Sequence, residues 1–193
     1  AVFAVTQLAE RMLESNWVLF TDYRFGWGPA QVGVSLSLVG VLYVISQGVL
    51  VRLVVPRIGE ERTLTFGLVV GGICLVALAF ANETWMVFAI IVPYVLCWGL
   101  TAPAVQSLVT RAVSDREQGI LQGAMTSTAN ASGVIGPPIA GVMFGFFIGD
   151  ATPVLLPGIA FLMGAGLFGI GLFFHARRRR AAAAADRPGP ETE

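Results

Sequence analysis

Four polar residues near the start of the chain are spaced for chemistry in an apolar setting. Gln7, Glu10, Arg11 and Glu14 sit within AVFAVTQLAERMLESNWVLF. On a helix at 100° per residue they share an arc of about 100°, following i, i+3, i+4, i+7. Two carboxylates beside one guanidinium can hold or pass a proton, or meet the polar part of a small molecule. Arg11 can neutralise one carboxylate; the other has no partner on its own helix. The same spacing also suits a structural ion pair at a helix contact, or a segment outside any membrane.

Three further constellations have hydrogen-bonding or aromatic character on one helical face. Tyr43 and Gln47 share an arc of about 120° with Gly33, Ser37 and Gly40. Tyr94, Cys97, Trp98 and Thr101 share about 100°, between Pro93 and Pro103. Gly119, Gly123, Thr126, Asn130, Gly133 and Pro137 share about 80°. Tyr43, Gln47, Tyr94, Trp98 and Asn130 are therefore candidates to line a substrate or proton pathway with the first stripe. Small residues also serve close helix packing, and aromatic stripes serve cores.

The chemistry of most enzymes is absent from the sequence. It contains no HExxH, CxxC, GxGxxG or P-loop pattern and no Ser/His arrangement. Cys74 and Cys97 lie inside apolar runs and read as small core residues, with no metal site or disulfide expected. No enzyme activity and no bound cofactor are expected. Movement of a solute down or against a gradient is what such residues could support.

The elements that must carry these residues are apolar. Of 193 residues 55% are hydrophobic and 12% charged, against about 25% charged in a soluble domain. That balance excludes an ordinary soluble enzyme. Zero net charge, with twelve arginines and no lysine, gives no basic surface for nucleic acid. A bilayer core needs about 20 mostly apolar residues per helix. Six runs qualify: 2–20, 31–53, 64–81, 85–109, 118–147 and 153–174. The first is the poorest, because each mid-bilayer charge costs about 2.5–3.5 kcal/mol. Its stripe is tolerable only against protein or a wet cavity.

Connections set an orientation. Arg52, Arg57 and Arg62 lie around the 2–3 turn, Arg111 and Arg116 in the 4–5 turn, and Arg177–Arg180 and Arg187 in the tail; the other side has Arg24. The positive-inside rule then puts these connections and both ends of the chain in the cytoplasm. Trp27 and Trp85 fall where outer-interface anchors are expected. His175, beside the arginines, reads as an interfacial residue. Residues 176–193, ARRRRAAAAADRPGPETE, read as a disordered tail after a six-helix domain over 1–175. The first residue is Ala1 inside an apolar run, as in a piece of a longer protein.

Specific segments sharpen this reading. FTDYRFGW at Phe20–Trp27, GVLVRLVVPRIGEER at Gly48–Arg62, QGILQG at Gln118–Gly123 and NASGVIGPP at Asn130–Pro138 occur in that order. Together they resemble the C-terminal half of major facilitator superfamily transporters, and within it the tetracycline/H⁺ antiporter-type drug efflux proteins. The resemblance covers about residues 1–175. It implies an all-α membrane protein forming one half of a twelve-helix bundle, with the N-terminal six helices as its missing partner in a bacterial plasma membrane. It implies alternating access, with drug exchanged for protons. The first, second, fourth and fifth spans would be the seventh, eighth, tenth and eleventh helices, lining the site. Arg57, Gly59 and Arg62 would belong to the second copy of a cytoplasmic gating loop, where Arg52 and Val55 stand in the stretch that usually has an acidic member. Gln47 matches a family glutamine. Tyr43 stands where tetracycline pumps carry histidine, and Gly71 where they carry aspartate, so Glu10 and Glu14 become candidate replacement titrating groups. An importer or metabolite facilitator on this scaffold, or a half-transporter acting as a scaffold or sensor, are the competing readings.

Overall fold

The structure is a computed structural model that describes residues 2–110, 116–149 and 155–185, the last four of these by backbone alone. Among the described residues there are six helices and no strand: α1 Val2–Phe25, α2 Pro29–Ile58, α3 Glu60–Ala79, α4 Thr84–Thr110, α5 Gln118–Ile148 and α6 Ile159–Ala185. All but α1 are long and apolar enough to cross a membrane by length and composition. At 24 residues α1 has the length; Glu10, Arg11 and Glu14 lower its apolar character.

Two glycines with positive φ set the tight corners. Gly26, at φ 65°, ends α1, and its N–H donates to the Asp22 carbonyl at 2.8 Å. This is the left-handed cap that L side chains resist. Pro29 then opens α2 at a position where a missing N–H costs nothing. Gly59, at φ 83°, is the whole connection between α2 and α3. Its N–H closes α2 on the Val55 carbonyl (2.9 Å), and its own carbonyl accepts from the N–H (3.0 Å) and hydroxyl (2.8 Å) of Thr63.

The helices outrun their apolar cores. α1 continues through Phe20–Phe25, so most of the FTDYRFGW segment is helical and only residues 26–28 connect. Arg24 is thus in the last turn of α1. It reaches the Ala81 carbonyl at 3.2 Å and the Asn82 side-chain oxygen, tying that corner to the α3–α4 connection. α2 continues through Arg52 and Arg57, so the supposed gating loop is one glycine flanked by helical Arg57 and Arg62. α6 continues through Arg177–Arg180 to Ala185, correcting the expected disorder over residues 176–185. Alanine and arginine are strong helix formers, and a helix leaving an apolar region needs no packing partner to add a few turns. Residues 186–193, Arg111, Asp150 and the expected sixth-span start at Pro153 lie outside the described residues.

α3 packs between α4 and α6; α1 packs on α5 and α6; α2 leans on α4. Missing side chains permit these approaches. A Cβ on Gly67 would collide with the Thr101 hydroxyl, and one on Gly99 with Ser46. A Cβ on Gly136 would stand 3.1 Å from Cβ of Arg11, so α5 meets α1 backbone to backbone. The core between these helices contains Phe20, Phe161, Phe168, Leu68 and Leu75. Phe20 meets Phe161 edge-on at 4.6 Å. By contrast α2 and α5 expose large apolar side chains, such as Val44 (70%) and Val134 (73%), as helices facing lipid or another bundle do.

Two expected interfacial residues are elsewhere. Trp27 is 4% exposed; its indole N–H donates to the Thr84 hydroxyl at 3.1 Å and its ring stacks on Phe88 at 5.4 Å. It packs inside the bundle, whereas Trp85 is exposed. His175 is buried at the junction of α3 and α6, with Nε2 at 3.6 Å from Glu61, which also pairs with Arg179 at 3.3 Å. One half-exposed carboxylate on the first turn of α3 thus lies beside a buried imidazole and a half-exposed guanidinium.

Candidate functional site: an aromatic cavity with two carboxylates

α1 and α4 barely touch, and α2 covers the gap from the side. The result is a cavity of about 440 Å³. Glu10, Glu14 and Trp17 enter it from α1, Tyr43 from α2, and Tyr94 and Trp98 from α4; Leu75, Leu78 and Phe161 close its back. The helical arcs explain the convergence. Glu10, Glu14 and Trp17 follow i, i+4, i+7 on one face, and Ile91, Tyr94 and Trp98 follow i, i+3, i+7.

One hydrogen bond links sequence positions 88 residues apart. The Trp98 indole N–H donates to Oε1 of Glu10 at 3.1 Å. Trp98 is buried and its ring stacks on Phe168 at 5.4 Å, so the donor is held by packing. Among the described residues, Glu10 forms no ion pair. The basic group one position away is turned elsewhere: Nη1 of Arg11 binds Oε2 of Glu14 at 2.9 Å.

Trp98 also borders a second cavity, of about 250 Å³, on the Gly59 side. Its character is different. Gln7 and Thr6 of α1, Thr101 and Gln106 of α4, and Gln122 and Thr126 of α5 give it a polar lining. Trp98 borders both spaces, and the Glu10 carboxylate that its indole binds lines the aromatic one.

The predicted residues divide accordingly. Glu10, Glu14, Tyr43, Tyr94 and Trp98 come together in the aromatic cavity, and Gln7 lies in the polar one. Gln47 reaches the first group indirectly, its amide N–H donating to the Tyr43 hydroxyl at 2.9 Å. Arg11 and Asn130 instead face an open groove between α1 and α5, with Gly133. Arg57, Gly59 and Arg62 sit at the α2–α3 corner and line neither cavity.

Several residues were not legible as site members. Trp17 lines the aromatic cavity and donates its indole N–H to the Ser35 hydroxyl at 3.0 Å. Its place at i+7 from Glu10 was the available signal. Ser46 is wholly buried and donates to the Leu96 carbonyl of α4 at 2.9 Å. It begins a π turn at Ser46–Leu50. Such turns re-aim neighbouring side chains and recur at functional sites; this one adjoins Tyr43 and includes Gln47.

Comparison with known proteins gives this architecture its family. The sequence family described as Major Facilitator Superfamily matches residues 1–192. The chain belongs to the Major Facilitator Superfamily. Its superfamily relatives include the tetracycline resistance protein of class E from Escherichia coli, 33% identical over 92% of this chain and 43% of that protein. The class G protein from Vibrio anguillarum is 39% identical over 71% of this chain and 35% of that protein. The class H protein from Pasteurella multocida is 29% identical over 97% of this chain and 46% of that protein. The chain thus spans less than half the length of these relatives. Superfamily membership and the apolar helices together make it a multi-pass membrane protein.

Proposed function

We propose that this chain is the C-terminal half of a proton-coupled secondary transporter that exports a drug-like, amphiphilic small molecule by alternating access. The observation that carries the reading is the place of Glu10. A carboxylate in the membrane is costly and marks an ion or substrate pathway. Glu10 lines the aromatic cavity and is held by the indole N–H of Trp98, the residue that borders both cavities. In this reading substrate meets Glu10 in the aromatic cavity and a proton reaches it from the second cavity past the Trp98 indole, as exchange of proton for substrate requires.

In this mechanism the aromatic cavity takes the substrate and the amide-lined cavity carries water and protons to Glu10. Arg11 and Glu14 form a neutral pair that lets α1 carry three charges at lower cost. The exposed apolar faces of α2 and α5 meet the N-terminal six-helix half, and the two halves rock about the site. The arginine-bearing ends, Gly59 and both ends of the chain lie in the cytoplasm of a cell with this protein in its plasma membrane. The energy comes from the proton gradient, with no cofactor. Similarity to tetracycline resistance proteins supports outward movement of a foreign compound.

The test is expression of the full reading frame in a drug-hypersensitive bacterial strain, with a panel that includes tetracycline and an accumulation assay with and without a protonophore. Resistance to any member that a protonophore abolishes supports the proposal. Unchanged susceptibility and accumulation despite confirmed membrane expression overturns it.

A further inference from the structure

The lining of the aromatic cavity says more about what enters it than size and apolarity do. Two carboxylates, Glu10 and Glu14, face the cavity, and its lining includes no arginine, lysine or histidine. Glu14 is already neutralised by Arg11 at 2.9 Å. Glu10 faces one neutral donor and no cation, so when it is ionised the space has one net negative charge. The rings of Trp17, Tyr43, Tyr94, Trp98 and Phe161 line the same cavity. Aromatic faces attract cations and give nothing to anions. The volume, about 440 Å³, falls within the usual range of small-molecule sites, about 300–1,000 Å³.

From these observations we infer that the cavity selects a lipophilic organic cation bearing a single positive charge, with Glu10 as its counter-ion and the aromatic rings as its walls. The inference rests on the reading of this cavity as the substrate site. An anion of the same shape would face an unscreened carboxylate in a low-dielectric space. A dication would leave one charge uncompensated. A neutral molecule would fit the walls and leave Glu10 to its indole partner alone. On entry the cation takes the place that a proton holds on Glu10, so binding releases a proton when Glu10 starts protonated.

The experiment is equilibrium binding to the full-length protein in lipid nanodiscs, with tetraphenylphosphonium as probe. Tetraphenylborate, of the same shape and opposite charge, is the comparison. The expected result is saturable tetraphenylphosphonium binding that tetraphenylborate does not displace. Glu10→Gln keeps the side-chain shape and an acceptor for the Trp98 N–H, and is expected to weaken binding at least tenfold. Glu10→Asp is expected to restore part of it. Equal binding of the two probes to the unaltered protein overturns the inference without reliance on any variant, as does Glu10→Gln with unchanged affinity. If the full-length protein exports a drug with proton coupling and does not bind tetraphenylphosphonium, the cation preference fails and the transporter reading stands. If it binds the cation through Glu10 and transports nothing, the reverse holds.

Discussion

The hydrogen bond from Trp98 to Glu10 has a measurable energy, and a double-mutant cycle isolates it. Trp98→Phe keeps a ring to stack on Phe168 and removes the N–H; Glu10→Ala removes the acceptor. A hydrogen bond to a charged group contributes about 1.5–3 kcal/mol in soluble proteins. Measured couplings inside a membrane bundle average about 0.6 kcal/mol and reach about 1.7. The Trp98 donor is buried and its length is 3.1 Å, which puts the expected coupling in the upper part of the membrane range, about 1–1.7 kcal/mol. The assay is equilibrium unfolding of the full-length protein and the three variants in mixed detergent micelles, read by the change in unfolding free energy. Glu10→Ala should cost less in the Trp98→Phe background than alone, by that amount. Additivity within about 0.3–0.5 kcal/mol would refute the reasoning, because it would mean that the two groups do not sense each other.

Other expectations follow from packing and from the corners. Gly67→Ala pushes a methyl group into the Thr101 hydroxyl across the α3–α4 seam; overpacking of this kind costs about 1–3 kcal/mol, read as a lower unfolding midpoint. Gly166→Ala on α6, where a Cβ meets nothing within 4 Å, should instead be neutral or stabilising by up to about 1 kcal/mol in the same assay. Glu61→Gln breaks the pair with Arg179, but both side chains are half exposed, so the loss should stay within the range of surface pairs, about 0–1 kcal/mol; a larger drop in midpoint would show that buried His175 depends on it. Cys74 and Cys97 are both buried free thiols, so a maleimide should label the folded protein slowly and the unfolded protein fully, as followed by mass spectrometry.

The spans were legible because hydrophobic length is a one-dimensional property. Each expected span corresponds to a helix in chain order. Their ends were less legible, because Thr21–Phe25 and Arg177–Ala185 carry charges that read as connections, and Arg52–Ile58 carries two arginines and a proline that read as a turn, yet all three continue their helices. The faces were legible in part. The i, i+4 spacing put Glu10 and Glu14 in one cavity, and Tyr94 and Trp98 opposite. It also grouped Arg11 with them, whereas the tight contact of Gly136 with the α1 backbone turns Arg11 toward α5. The pairing of Glu10 with Trp98 was not legible, because it joins helices far apart in sequence whose spacing is set by other seams, among them Gly67 against Thr101 and Ser46 against Gly99. Trp27 was misplaced for a related reason. An indole next to a span end suits an interface equally well in sequence, and only the fold brings Thr84 and Phe88 to it.

The central claim is that Glu10 couples protons to substrate, and flux in everted membrane vesicles with an imposed pH gradient tests it most directly. Vesicles containing the full-length protein should accumulate substrate when the interior is made acidic, and stop when the gradient is collapsed. Glu10→Gln, expressed at the same level, should show no gradient-driven accumulation. Gradient-driven accumulation by Glu10→Gln equal to that of the unaltered protein would contradict the account.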